Sequence, residues 1–169
     1  MSTPIYDAHS FWELLNRRVV DSPDWPMLID DTDRTFTFAE VYDRAERVAA
    51  GFATMGVGEG TPVTWVLPTR VETIVVSLAL SRLGAVQNPI IHIYREREVR
   101  FCIRQTGAEL VLVPGEWNNF DYKAMVVTAV ADLALSPSIL EAYGELPEGD
   151  PASLAPLEPP SVNDGPIRW

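Results

Sequence analysis

The chain has 169 residues, of which 47% are hydrophobic and 22% charged, a composition typical of globular proteins. Its 24 acidic and 13 basic residues give a formal charge of −11, which argues against nucleic acid and anionic membranes as partners. A single cysteine excludes an internal disulfide. No apolar run is long enough to span a bilayer. From these two observations we predict a cytoplasmic protein.

The first 60 residues predict two helices on either side of a β-hairpin. The predicted ranges are a helix over Ser10–Val20, strands over Met27–Asp30 and Arg34–Thr37, and a helix over 38–55. Each helix begins with a capping-box pattern, Ser10 with Glu13 and Thr37 with Glu40. The acidic hairpin turn around Asp31 is interpreted as a turn former, because its spacing is not that of a calcium loop.

The next 80 residues alternate between strands and helices. The predicted order is strand Pro62–Leu67, helix Arg70–Leu83, strand Ala85–Ile91, helix Arg95–Thr106, strand Glu109–Val113, helix Asp121–Leu133 and strand Ser138–Glu141. A third capping box, Thr69 with Glu72, is predicted to open the first of these helices. Because a helix joins each strand to the next, the strands must be parallel and covered on both faces. We predict a three-layer α/β subdomain over 1–143, followed by a proline-rich acidic linker over 144–169.

Five motifs together resemble the start of ATP-dependent acyl- and aryl-CoA synthetases, members of the AMP-binding, adenylate-forming superfamily. They are Thr35–Val41, Gly56–Val63, the strand end Leu67–Pro68, Leu83–Val86 and Asn88–Val99. The last motif, followed by Phe120–Tyr122, is similar to the branch that activates medium-chain, alicyclic and aryl acids. Each motif alone is a local capping or turn pattern, so their order and spacing carry the resemblance. It implies that the chain is an incomplete N-terminal subdomain of this fold.

The resemblance also implies a reaction for the intact enzyme, of the kind used in fatty acid metabolism. A carboxylic acid and ATP with Mg²⁺ give an acyl-AMP, and the acyl group then passes to CoA. The family's phosphate-binding loop ends in a lysine and follows a segment like Pro166–Trp169, but the only lysine of this chain is Lys123. We therefore predict no catalytic residue, no metal ligand and no cofactor for the chain itself, and no activity on its own. Its predicted partner is the remainder of the synthetase, without which an exposed apolar face would drive self-association.

His92, Arg95 and Arg97 are the candidate cofactor-binding residues, at an entrance for CoA or the acyl group. They follow a predicted strand, and ligands of parallel sheets bind at the carboxyl ends of strands. His92 either contacts the acyl or pantetheine channel or is a loop histidine bonded to a backbone carbonyl. The two arginines either face a phosphate, or are solvated or pair with Glu96, Glu98 and neighbouring acids.

Two other functions stay open. The chain is either an autonomous α/β binding module without catalysis, or one half of a split synthetase that needs a second chain. A coding sequence that continues directly into a lysine-bearing loop would favour the fragment hypothesis over both. The acid itself cannot be identified, because the resemblance places most pocket residues beyond this chain.

Overall fold

A four-stranded parallel sheet organises the computed structural model, which describes residues 8–156. The elements in chain order are α1 (Phe11–Asp21), β1 (Pro26–Ile29), β2 (Thr35–Thr37), α2 (Phe38–Thr54), β3 (Pro62–Trp65), α3 (Val71–Arg82), β4 (Val86–Pro89), α4 (Glu96–Thr106), β5 (Leu110–Val113), β6 (Glu116–Trp117), β7 (Phe120–Asp121), α5 (Tyr122–Val130), β8 (Ser138–Glu141) and a 3₁₀ turn (Pro151–Ser153). The sheet has the order β4-β3-β5-β8, and all its pairings are parallel. The predicted segment Pro166–Trp169 lies outside the described residues.

The central strand β5 divides the interior into two apolar layers. Leu110 and Leu112 pack with the cluster that contains buried residues of α1, α2 and α3. Val111 and Val113 pack with the cluster that contains those of α4 and α5. All four side chains are buried, as expected for a parallel strand covered on both faces. The predicted three-layer α/β architecture is therefore confirmed.

The order of the strands reverses between β3 and β5. From β3 the chain passes through α3 to the edge strand β4, whereas from β5 it passes through α5 to the opposite edge strand β8. Because α3 and α5 cover different faces, the connections that leave β3 and β5 diverge at the carboxyl ends of these strands. Such a switch point opens a crevice in α/β sheets.

Two of the three predicted capping boxes are wrong in detail. The box at the start of α2 is complete, with Thr37 and Glu40 bonded reciprocally. At α1 the Glu13 carboxylate accepts instead from the backbone N–H of His9, which lowers the pKa of Glu13. At α3 the N-cap is Arg70, with no side-chain capping bond. Since the helix begins one residue later than predicted, Glu72 occupies its second position, and the box requires the third.

The predicted elements all occur, but several are shorter than expected. The strand predicted over Ala85–Ile91 is reduced to Val86–Pro89, and the last helix ends at Val130 rather than Leu133. The hairpin turn forms as predicted around Asp30, whose carboxylate accepts hydrogen bonds from Thr32 and Arg34. No helix within residues 8–156 has both the length and the apolarity that a membrane crossing requires.

The first part of the predicted linker lies against α2. The Gly149 N–H donates to the carbonyl of Arg47 over 2.9 Å, and the Arg47 guanidinium pairs with Glu148 at 3.1 Å. The crossing is close enough that a Cβ on Gly51 would come within 2.2 Å of the Pro147 carbonyl oxygen. We call residues 144–156 the strap, because they extend across the surface of α2.

Candidate functional site

Four connections meet at the carboxyl edge of the sheet, where the sequence predicts function. They follow β3, β4, β5 and β8, and comprise Pro68–Arg70, residues 90–95, Pro114–Trp117 and Ala142–Tyr143. The parallel register places these strand ends side by side. Ligand-binding groups from distant parts of the chain can therefore converge here.

The carbonyl of Pro68 lies at the centre of a partly buried hydrogen-bond network. It accepts from the Thr73 hydroxyl at 2.6 Å and from the Tyr143 hydroxyl at 2.6 Å. The two hydroxyl oxygens are 3.2 Å apart. Burial raises the pKa of Tyr143, so its hydroxyl remains protonated and able to donate near neutral pH. The network ties the connection after β3 to α3 and to the connection after β8.

Arg70 stands beside this network, close to two aromatic rings. Its guanidinium carbon is 5.3 Å from the ring centre of Trp117 and 5.4 Å from that of Tyr143, within the range of cation–π attraction. Among residues 8–156 its ion pair is with Glu72, and at 3.9 Å the pair is long. Sequence reasoning missed this group, because Arg70, Trp117 and Tyr143 come together only through the strand order.

Arg95 holds the connection that follows β4. Its Nη1 donates to the carbonyls of His92, Ile93 and Tyr94 at 3.0 to 3.1 Å, and its guanidinium carbon is 4.3 Å from the ring centre of Phe120. Of the alternatives for Arg95, pairing with Glu96 or Glu98 is not seen, since none of its ion pairs appears among residues 8–156. Its Nη1 is instead directed at backbone oxygens.

His92 and Arg97 have different surroundings. The carbonyl of His92 accepts a second bond, from the Tyr122 hydroxyl at 2.8 Å, so the backbone of His92 is fixed by two side chains. The histidine ring itself is partly exposed. Arg97 is exposed in the first turn of α4, and the part of the chain that the structure describes gives it no ion-pair partner. The structure thus joins His92 to Arg95 but leaves Arg97 apart from them.

The described residues do not fit the triphosphate of ATP or its Mg²⁺. Lys123 is in α5, and its ammonium group bonds to the Glu141 carboxylate at 2.8 Å, a contact that raises the pKa of Lys123. Between residues 8 and 156 no cluster of three or more His, Cys, Asp or Glu side chains could hold a metal ion. The chain's own groups here therefore supply no phosphate cradle of the kind found in nucleotide-binding loops.

The family and the most similar curated proteins agree with the resemblance seen in the sequence. A family model described as AMP-binding enzyme matches residues 15–162. 4-Coumarate–CoA ligase 5 of Oryza sativa subsp. japonica is 38% identical over 96 residues, which cover 56% of this chain and 18% of that protein. 2,3-Dihydroxybenzoate-AMP ligase of Bacillus subtilis (strain 168) is 28% identical over 151 residues, which cover 89% of this chain and 27% of that ligase.

Solved structures share the fold of this chain, which again covers less than half of each of them. The luciferase-like enzyme of the Zophobas morio mealworm superposes with a TM-score of 0.75 at 21% identity, covering 94% of this chain and 39% of that enzyme. The Klebsiella oxytoca NpsA N-terminal subdomain, in complex with 3-hydroxyanthranilyl-AMSN, gives a TM-score of 0.68 at 21% identity, covering 89% and 36%. The chain thus spans less than half the length of each of these proteins. Since the family model matches most of its residues, the chain belongs to the AMP-binding enzyme family.

Proposed function

We propose that this chain is the N-terminal part of an acid-CoA ligase that acts in the cytoplasm. The intact enzyme would activate a carboxylic acid as acyl-AMP with ATP and Mg²⁺ and transfer the acyl group to CoA. The part described here would form one wall of the large domain and would not carry out the chemistry alone. Medium-chain, alicyclic and aryl acids are the proposed substrate class.

One observation carries this proposal. The chain matches the family and part of the length of much longer ligases, yet its only lysine is bonded to Glu141 on the edge strand β8. Binding of a triphosphate requires backbone amides and a cation directed at the phosphates. We propose that this part of the ligase forms a wall of the large domain, and that residues elsewhere in the ligase contact the phosphates.

We propose separate roles for the three predicted entrance residues. Arg97 lies exposed in the first turn of α4, with no ion-pair partner among residues 8–156, and would meet a phosphate of CoA. Arg95 would position the connection after β4, because its Nη1 donates to three backbone carbonyls of that connection. His92 would present its ring at the acyl entrance from a backbone fixed by Arg95 and Tyr122.

The connection after β4 is also the proposed contact with the remainder of the ligase. Ile91, Ile93 and Tyr94 are 59%, 64% and 44% exposed, close together on a connection held rigid by Arg95. Without that remainder we expect self-association, because burying these side chains removes apolar surface from water. Sedimentation velocity of the chain should show dimers or larger species, and Ile93→Ser should reduce them. A monomer at all concentrations would contradict the assignment of this surface.

The function is tested by assaying acyl-AMP and thioester formation with ATP, Mg²⁺, CoA and a panel of medium-chain and aryl acids. We expect no product and no heat of ATP binding with the chain alone. A chain extended by the downstream coding sequence should be active, and Lys123→Gln in it should change pyrophosphate exchange by less than about twofold, because an exposed ion pair contributes little. Thioester formation by the chain alone would refute the proposal.

The same assay separates the two other hypotheses. A stop codon directly after Trp169, with no activity under any condition, would favour an autonomous binding module. Pyrophosphate exchange that appears only when this chain is mixed with a separate chain would favour a split synthetase.

A further inference from the structure

A cavity of about 550 Å³ lies at the amino edge of the sheet, opposite the edge described above. It is bounded by the ends of α2 and α4, by the residues that lead into β3 and β5, and by residues 135–138 at the start of β8. Cavities of about 300–1,000 Å³ hold small organic ligands. This one contains neither His92 nor Arg95 nor Arg97, so it is separate from the proposed entrance for CoA.

The walls of this cavity offer acceptors of hydrogen bonds rather than donors. At the end of α2, the N–H groups of residues 55–57 already donate to carbonyls in the last helical turn. At the end of α4, those of Gly107 and Ala108 also donate back into the helix. The carbonyl oxygens of Met55, Gly56 and Gly107 accept no hydrogen bond from a residue between 8 and 156. Such walls favour a ligand that donates hydrogen bonds.

Two helix ends give the cavity a negative potential. Both α2, with 17 residues, and α4, with 11, end at its wall, and the carbonyl end of a helix carries the equivalent of about half a negative charge. The last turn of α2 contains no basic residue. The last turn of α4 contains Arg104, but its guanidinium carbon lies 5.9 Å from the ring centre of Phe101, and neither residue lines the cavity. The combined field favours a cation.

Glu109 supplies the charged group of the wall. It is the one charged residue among those that the structure places around the cavity. Its backbone is fixed on both sides, because its N–H donates to Pro62 and its carbonyl accepts from Ser138, each over 2.9 Å. Its carboxylate is exposed and takes part in no ion pair within residues 8–156. A carboxylate held in this way is free to bind a cation.

The remaining wall is largely apolar. Met55 and Val57 line the cavity from the end of α2, Leu110 lines it from β5, and Leu135 and Pro137 line it from the segment before β8. Met55 is 43% exposed, so a ligand that covered it would remove apolar surface from water. The wall therefore favours a cation attached to a ring or a short hydrocarbon chain.

We propose that this cavity binds small organic cations with an apolar body, with Glu109 as the residue that holds the charged group. The ligand would be an amidinium, guanidinium or primary ammonium compound, because these groups combine positive charge with several N–H donors. The inference goes beyond the proposed ligase function, because it concerns the opposite edge of the sheet and binding without ATP or CoA. A failure of this proposal would leave the ligase proposal untouched.

Benzamidine is the test probe, and benzamide is its uncharged control of the same size. Each is titrated into the chain, and binding is followed by calorimetry and by NMR of the backbone amides at 107–110. We expect saturable benzamidine binding at about 0.1–5 mM, a range reached by one charge-assisted contact and a small apolar surface. Benzamide and benzoate should both bind about tenfold or more weakly. Potassium chloride at the concentration of benzamidine should not displace it.

Three variants locate the site. Glu109→Gln should weaken benzamidine binding by about tenfold or more, the effect of one lost charge-assisted contact. Glu98→Gln removes the same charge from an exposed acid at the other end of α4, and it should change the affinity by less than about twofold. Ser136→Lys places a cation in the exposed part of the wall, and it should abolish binding through repulsion.

The proposal fails under any of three results. These are no benzamidine binding up to about 10 mM, where the binding free energy would be too small to indicate a built site, equal binding of benzamide, and an unchanged affinity in Glu109→Gln. If Glu109→Gln proves unfolded by NMR, Ser136→Lys decides the question, because unchanged binding in that folded variant overturns the assignment.

Discussion

Replacement of Gly51 by alanine should destabilise the fold, although alanine is the better helix former. Gly51 lies within α2, where a change from glycine to alanine would ordinarily stabilise by about 1 kcal/mol. Here the added Cβ would lie 2.2 Å from the carbonyl oxygen of Pro147 and 2.8 Å from the backbone nitrogen of Glu148. Both contacts are with backbone, which cannot swing aside as a side chain could. The strap must therefore lift from α2.

The cost follows from what the strap contributes. Lifting it exposes Leu146, which is 8% exposed in the fold, at a cost of about 1.5–3 kcal/mol. It also breaks the hydrogen bond between Gly149 and Arg47, at about 1 kcal/mol. After subtraction of the helical gain, Gly51→Ala should lower the free energy of unfolding by about 1.5–3 kcal/mol. For a chain of this size that corresponds to a fall in Tm of about 3–12 °C.

Urea unfolding followed by circular dichroism measures this loss, and limited proteolysis of the strap reports its release. Gly144→Ala is the matched control, because nothing lies within 4 Å of its added Cβ, and it should change stability by no more than about 1 kcal/mol. A Gly149→Ala change also brings a Cβ to within 2.9 Å of the backbone of Ala50, so the double variant should cost less than the sum of the two. A Gly51→Ala chain as stable as the unchanged protein would refute the account of the crossing.

Three further changes test the rest of the structure. Tyr143→Phe should lower the free energy of unfolding in urea by about 1 kcal/mol, because it removes one of two donors to the Pro68 carbonyl while Thr73 still satisfies it. A change in that free energy near zero would show that the network is not stabilising. Hydrogen bonds from Thr32 and Arg34 lower the pKa of Asp30 below its ordinary value of 3.8, although desolvation opposes the shift. The ionised Asp30 carboxylate therefore stabilises the fold above pH 3.8. The difference in unfolding free energy between the unchanged protein and Asp30→Asn should shrink as the pH falls below that value. A pH-independent difference would contradict that reasoning. Arg95→Gln should speed hydrogen exchange of the backbone amides at 91–94, while Arg97→Gln should not, since Arg95 alone of the two bonds to that connection. Equal exchange rates in the two variants would contradict the positioning role of Arg95.

The sequence predicted the layers because each pattern had one physical solution. The apolar run at Leu110–Val113 requires cover on both faces, and the helical crossovers require parallel strands. The capping box at Thr37 and Glu40 formed because both residues are local to the helix start. Short-range chemistry of this kind can be predicted without the tertiary structure.

The strap shows where sequence reasoning ended. Prolines and acids in residues 144–156 predict an extended surface segment, but they do not indicate what it crosses. The contact depends on Gly51 and Gly149, which are about a hundred positions apart. Each lacks the Cβ that would push α2 and the strap apart. A glycine inside a helix is a visible signal, since it is unfavourable there unless something approaches closely. Its partner could not be identified from the sequence.

The misplaced start of α3 also hid Arg70, which lies in the candidate site beside Trp117 and Tyr143. Arg95 and Arg97 attracted attention because cations are unusual at a helix start, where the dipole favours negative charge. Arg70 occupies the same kind of position, but the apparent capping box of Thr69 and Glu72 placed it inside the helix. In the fold, the Nη1 of Arg95 holds its own connection, whereas the guanidinium of Arg70 lies near the rings of Trp117 and Tyr143 and donates no hydrogen bond to a residue between 8 and 156. The surroundings of Arg70 depend on the strand order, so the pattern at the start of one helix could not predict them.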